Sequence, residues 1–202
     1  INSDLIVEAA SENQKIKKKI FKQMDSICNH KTILASNTSS ISISKLAEVT
    51  NRPDLVIGMH FMNPVPIMKL IEVVKGNKTS QDTLKKVIEV SRLLDKIPIE
   101  CNDAPGFIAN RILMPMINEA IHCFNEGVGS KEAIDEIMKL GMSHPMGPLA
   151  LADLIGLDIC YDILEILYKD FNDIKYKPCE LLHKMVLNRK LGRKTGEGFY
   201  KY

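Results

Sequence analysis

The stretch from Gly58 to Val74 holds one histidine and one carboxylate, each set against branched aliphatic residues. His60 follows Leu55, Val56 and Ile57, and Glu72 lies between Leu70-Ile71 and Val73-Val74. An ionised glutamate in such company is costly to bury unless something pairs with it. Pro64 and Pro66 forbid one continuous helix or central strand between the two residues and force an extended or turning link, of which the turning form is the one that returns the chain. Two strands joined by that turn bring Glu72 back beside His60. A carboxylate on one ring nitrogen fixes the tautomer of an imidazole and supports its protonated form, which is the equipment of a general acid/base. A histidine at a strand end is also commonly a structural residue, and spacing alone leaves that alternative open.

The flanking sequence supplies a framework. Asp4-Leu-Ile-Val-Glu-Ala reads as a buried strand, Thr32 to Ser36 as a second, Leu55 to Phe61 as a third, Met68 to Val74 as a fourth and Ile97 to Cys101 as a fifth. Pro98 confines the last to an edge or an unpaired position. Between them, Ile16, Ile20, Met24 and Ile27 recur at helical spacing after a Ser11 cap. Their opposite face, Lys15, Lys17, Lys18, Lys19 and Lys22, reads as solvated. Further helices are expected from Ser44 to Thr50 and from a Ser80 cap through Leu84, Val87, Ile88, Ser91 and Leu94. The polar run Asn37-Thr-Ser-Ser is either a capping cluster or, lying past a strand's carboxyl end, part of a ligand site. Alternating strands and helices give an α/β class.

Near Asp103 the character changes. Asp103 as N-cap with Pro105 just after it predicts a long helix to about Asn125, kinked at Pro115 and closed by Gly127. Ser130 caps the next helix, Gly141 ends it, and Pro148, Gly156 and Pro178 mark the starts of others, so residues 103–202 read as all-helical. Leu149, Leu151, Leu154, Ile155 and Leu157 are either an internal core or a subunit interface. The glycine-rich segment beginning at Lys194 reads as a tight tail, because no strand precedes it and no helix follows.

The composition, 45% hydrophobic and 26% charged with a formal net charge of +2, is that of a globular protein and argues against nucleic-acid binding. No apolar run is long enough to span a membrane. The scattered cysteines 28, 101, 123, 160 and 179 suit unpaired thiols in a reducing, cytoplasmic setting and form no metal-ligand spacing.

Four stretches, taken together, resemble a known family. They are Ser36-Asn-Thr-Ser-Ser40, the segment from Gly58 through Val73, Asp103-Ala-Pro-Gly-Phe-Ile-Ala-Asn-Arg111, and Lys194-Thr-Gly-Glu-Gly-Phe-Tyr200. In this order they are similar to the L-3-hydroxyacyl-CoA dehydrogenases, nearest to those acting on 3-hydroxybutyryl-CoA. The resemblance implies oxidation of an L-3-hydroxyacyl-CoA to the 3-oxoacyl-CoA, or the reverse. His60 and Glu72 would form the acid/base pair. Ser39 and Asn110 would be hydrogen-bond donors to the substrate. Glu12, Lys17, Ser39, Asn63 and Lys194 would lie at the cofactor, with NAD implied and NADP the open alternative. It further implies a homodimer through the C-terminal helices. The family opens on a Gly-x-Gly-x-x-Gly fingerprint, and no such motif occurs here. The expectation is therefore a chain lacking the N-terminal glycine-rich βαβ part. Residues 1–102 would be the C-terminal part of a Rossmann-like domain, followed by an all-helical dimerisation domain over 103–202. Turnover by such a chain stands against the alternative of a non-catalytic helical dimerisation module without its cofactor half.

Overall fold

In the computed structural model, which describes residues 2–202, the chain divides into two units, Ile1–Ile108 and Ala109–Tyr202. The first contains strands β1 (Leu5–Glu8), β2 (Ile33–Ser36), β3 (Val56–Phe61), β4 (Leu70–Lys75) and β5 (Ile97–Asn102), with helices α1 (Gln14–Ile27), α2 (Ile43–Ala47) and α3 (Gln81–Leu93). The strands form one sheet in the order β1-β2-β3-β4-β5. All pairings are parallel except β3 with β4. A parallel return needs a crossover of about a dozen residues or more, and the segment 62–69 is too short to supply one. The sheet is therefore mixed, and β4 runs back beside β3.

Both faces of the sheet are covered, which is why β2 and β3 read as unbroken apolar runs. Ile33, Ala35, Ile57, Met59, Ile71 and Val73 pack on one face with Leu84 and Val87 of α3. Leu34, Val56 and Val74 pack on the other with Phe21 and Met24 of α1 and Ile43 and Leu46 of α2.

Three local expectations are corrected. Helix α1 is capped by Asn13, whose side chain accepts from the N–H groups of Lys15 and Ile16, rather than by Ser11. Its buried face runs through Lys17, Phe21 and Met24, while Ile16 and Ile27 are exposed. Asp103 does not start a helix. Its carboxylate accepts from Ser42 Oγ and from the N–H groups of Ile43 and Ser44, so that it caps α2, which ends at Ala47 instead of reaching Thr50. The long helix begins later because Gly106 and Phe107 adopt left-handed φ values of 72° and 50°, a conformation that no helix continues through.

The second unit comprises α4 (Ala109–Asn125), α5 (Lys131–Met142), α6 (Pro148–Ile155), α7 (Leu157–Phe171) and α8 (Glu180–Leu187) around one core. Helix α5 continues through Gly141 and stops at Ser143, which takes the left-handed cap. Leu149 and Leu157 are fully buried in the core, whereas Leu154 is about half exposed. The apolar excess is thus divided between an internal core and an outer surface. The tail folds onto Asp153, whose buried carboxylate accepts from the N–H groups of Phe199 and Tyr200 and from the Tyr202 hydroxyl. All five cysteines are free thiols. Burial pushes Cys101 and Cys160 up to about 12. Among the described residues, no helix is long and apolar enough to cross a membrane.

Gly58 sits where β3 is squeezed between Val74 and Ile43: a Cβ there would lie 2.7 Å from Val74 Cβ and 3.0 Å from Ile43 Cδ1. Gly58→Ala should therefore destabilise the protein by about 1–3 kcal/mol, measured by denaturant unfolding. An unchanged midpoint would show that β4 and α2 yield to the added methyl.

Candidate active site

The antiparallel pairing of β3 with β4 sets His60 directly opposite Glu72. Cross-strand partners point to the same face, and here they meet: His60 Nδ1 lies 2.8 Å from Glu72 Oε2, with both residues buried. The second carboxylate oxygen, Oε1, accepts from the N–H of Ile108 at 3.1 Å. The Phe107 ring stands 5.8 Å from the imidazole, centroid to centroid. A buried carboxylate is tolerated when its oxygens are hydrogen-bonded, and charge-assisted bonds are the strong ones. With Nδ1 engaged by Glu72, Nε2 is the ring nitrogen left for proton transfer.

The carboxyl ends of β1 and β2 carry a second group of polar residues. Glu8, the last residue of β1, is buried, and its carboxylate takes Lys17 Nζ at 2.7 and 3.0 Å, Ser36 Oγ at 2.7 Å and the N–H of Ala10 at 2.6 Å. Lys17 Nζ also donates to the carbonyl of Ala10. An ammonium has three protons, and the two Glu8 oxygens and this carbonyl occupy them. Lys17 is 1% exposed, which corrects its place on a solvated face. Lys15, Lys19 and Lys22 are the ones in solvent. The structure likewise turns its head towards Glu8 rather than outward to a ligand.

Glu12 is exposed and reaches the loop after β2, accepting from the Thr38 hydroxyl and the Ser39 N–H. Asn37 Oδ1 accepts from the N–H of Phe61, which ties that loop to the residue after His60. Thr38 Oγ1 also accepts from the N–H of Ile41, but the run does not cap the next helix: the N-cap of α2 is Ser42. Asn63 is exposed, three residues beyond His60.

Glu12, Ser39, His60, Glu72 and Asn63 thus belong to the first unit. All but Glu72, which faces His60 from β4, lie at or just past the carboxyl ends of the parallel strands β1, β2 and β3, the edge at which open α/β sheets bind ligands. The exposed polar side chains of Glu12 and Asn63 suit the polar end of a dinucleotide at that edge. Asn110 and Lys194 belong to the second unit. Asn110 is buried in the first turn of α4. Lys194 Nζ is 2.6 Å from Asp158 Oδ2. The roles of the Phe107 ring, the Ile108 amide and Glu8 went unread in the sequence, which presents Asn37 only as part of its polar run. Only Glu8, a carboxylate ending a buried strand nine residues before a lysine on a helix, left a legible sign.

Two family models match the chain. One, described as 3-hydroxyacyl-CoA dehydrogenase, NAD binding domain, covers residues 1–104, and the other, described as 3-hydroxyacyl-CoA dehydrogenase, C-terminal domain, covers 106–202. A "Probable 3-hydroxybutyryl-CoA dehydrogenase" of Bacillus subtilis (strain 168) is 57% identical over 201 residues, covering 100% of this chain and 70% of its own length. The human "Hydroxyacyl-coenzyme A dehydrogenase, mitochondrial" is 47% identical over 202 residues, covering 100% of this chain and 64% of its own. The crystal structure of the (S)-3-hydroxybutyryl-CoA dehydrogenase of Ralstonia eutropha superposes with a TM-score of 0.96 at 55% identity, covering 99% of this chain and 71% of that one. These matches correct the expectation of a merely partial Rossmann-like domain whose cofactor half is absent: residues 1–104 match the NAD-binding domain. The reading as a non-catalytic helical module without its cofactor half is not favoured by these matches.

Lys17→Met would leave Glu8 buried without its cation and should cost about 3–5 kcal/mol of stability. The same change at exposed Lys15 should stay within about 0.5 kcal/mol. Urea unfolding of the two variants compares them, and equal midpoints would place Lys17 on the solvated face after all.

Proposed function

The chain belongs to the 3-hydroxyacyl-CoA dehydrogenase family, and we propose that it interconverts an L-3-hydroxyacyl-CoA and the 3-oxoacyl-CoA, with 3-hydroxybutyryl-CoA as its substrate. It is an oxidoreductase with NAD as cofactor. The observation that carries the proposal is the buried His60–Glu72 pair, 2.8 Å apart across the paired strands β3 and β4.

Oxidation of the secondary alcohol removes a proton from the hydroxyl and a hydride from the carbon that bears it. Bound NAD supplies the hydride acceptor. His60 Nε2 takes the hydroxyl proton, and Glu72 at Nδ1 holds the ring and offsets the imidazolium charge that forms. In the reverse direction His60 returns the proton to the oxygen of the 3-oxo group. The Ser39 hydroxyl and the Asn110 amide donate to the substrate oxygens, where charge changes between alcohol and ketone. Glu12 and Asn63 hold the nicotinamide end of the cofactor, with Ser39 shared between cofactor and substrate. Lys17 supports that end indirectly, through Glu8 and through Glu12 Oε2 at 3.6 Å. Lys194 is assigned to the cofactor by its motif.

The protein further works as a homodimer through its helical part. Val128, Ile137, Leu140 and Met142 are exposed on or beside α5, next to an apolar groove of about 430 Å³ lined by Met116, Ile134 and Met138. A two-fold contact is the commonest way to cover such a surface.

His60→Gln should lower kcat by at least ~10²-fold in an assay with acetoacetyl-CoA and NADH, with little change in the KM for NADH. Glu72→Gln keeps a hydrogen bond to the ring but offsets no charge, and should still cost at least about tenfold. Turnover of either variant within a few-fold of the parent would remove it from the mechanism. In sedimentation at micromolar concentration the protein should run as a dimer and Leu140→Glu as a monomer, and a parent monomer would discard the assembly proposal.

A further inference from the structure

Glu12 stands in the connection between β1 and α1, its side chain 37% exposed, yet one of its oxygens has an unusual load. Oε1 accepts from Thr38 Oγ1 at 2.6 Å, from the N–H of Ser39 at 2.9 Å, and from the N–H and hydroxyl of Ser40, both at 3.0 Å. Two successive backbone N–H groups turned on one anion form a small nest, and here the anion comes from a different loop, 27 residues earlier. The Ser39 loop is also held by the Ser36 hydroxyl, which accepts from the N–H of Thr38, and by Thr38 Oγ1, which accepts from the N–H groups of Ser40 and Ile41. Asn37 Oδ1 on the Phe61 N–H and the backbone bond from Asn37 N–H to the carbonyl of Glu8 hold it as well. Glu12, however, is the anion that binds both its Ser39 and Ser40 amides. Burial alone would push the Glu12 carboxyl up. The hydrogen bonds from Thr38 and Ser40, the charge of Lys17 and the Ser39 N–H together hold it below its ordinary value, so it is ionised at neutral pH.

We propose that Glu12 is a positioning residue for Ser39, fixing the loop on which the serine is displayed to the substrate. This inference rests on the reading of Ser39 as a substrate donor. It separates the two oxygens of Glu12: Oε1 orders the substrate loop, and Oε2, facing Lys17, stays on the cofactor side. Seating the cofactor against Glu12 and presenting Ser39 are then functions of one carboxylate. Such an arrangement makes the precision of the serine depend on a residue that never touches the reacting carbon, and a displacement of about 1 Å in a donor of this kind can cost about 10²-fold.

The partial exposure of Glu12 makes the test practicable, since its removal gives the loop donors over to water and leaves no buried cavity. Glu12→Ala should lower kcat by about 10- to 10²-fold, and the KM for NAD should rise with it because the same carboxylate seats the cofactor. Glu12→Gln, whose amide oxygen can accept the same four donors, should recover most of the kcat that Ala loses. In a double-mutant cycle, Ser39→Ala/Glu12→Ala should be no slower than Ser39→Ala alone, because a residue acting through another adds nothing once the other is gone. Additive losses would overturn the inference and leave Ser39 in place. So would a Gln variant whose kcat is as impaired as that of Ala, since an oxygen able to accept the four loop donors would then not be what Glu12 supplies. A fall in melting midpoint in step with kcat would reduce Glu12 to a structural residue. Full turnover by Ser39→Ala would overturn the reading of the serine itself, and the inference with it.

Discussion

Burying Glu72 is the constraint around which the first unit is arranged. The residue lies in a central strand between Ile71 and Val73, both shielded from solvent, where a bare carboxylate would cost several kcal/mol. Three features answer that cost. The short link after β3 forces β4 to run antiparallel, so that an imidazole rather than an aliphatic side chain lies opposite. The chain leaving β5 bends back through two left-handed residues, which brings the Ile108 amide to the second oxygen. The Phe107 ring packs near the imidazole and is itself 1% exposed. Topology, backbone conformation and aromatic packing therefore serve one hydrogen-bonded pair, and that pair is the chemical centre of the proposed reaction.

Elsewhere the same device recurs with other carboxylates. Glu8 gathers Lys17, Ser36 and the Ala10 amide at the end of β1. Asp103 closes the N-terminus of α2, where the helix dipole favours a negative charge. In the helical unit, Asp135 accepts from the amides of Leu149 and Ala150 at the start of α6, and Asp153 receives the tail. Asp103, Asp135 and Asp153 join segments distant in sequence by taking backbone N–H groups that would otherwise need another partner, and Glu8 does so through the Lys17 and Ser36 side chains. Gly192 and Gly198 follow from this arrangement. A Cβ at either would collide with Asp153, the nearest approaches being 2.2 and 1.9 Å, so the tail can close only with glycine there.

Family membership and geometry support each other without duplicating each other. The matched models cover both parts of the chain and identify an oxidoreductase with NAD. Geometry adds how the pieces of the first unit are held: the histidine by a carboxylate, the carboxylate by a backbone amide, and the serine loop by Glu12. Function sites of this kind depend on supporting groups whose own positions are fixed by packing and hydrogen bonds.

By itself, the sequence determined the alternation of strands and helices, the return of Glu72 to His60, the change to all-helical structure after the last strand, and the caps at Ser80 and Ser130. These features rest on hydrophobic period, chain length between elements and short-range dihedral preference, all of which a local stretch of residues records. Tertiary structure decided the face α1 buries. The stripe through Ile16, Ile20, Met24 and Ile27 has the better hydrophobicity, yet the helix turns Lys17 and Phe21 inward because Glu8 waits there to neutralise the ammonium. It also decided that Asp103 caps a helix 60 residues earlier instead of starting its own, that Leu149 and Leu157 face inward while Leu154 faces out, and that Glu12 holds the Ser39 loop. In the three cases involving carboxylates, the outcome depends on an ionised group meeting its partners across a long sequence separation. The free energy of burying a charge is set by those partners and the space around them, and no window of neighbouring residues contains them.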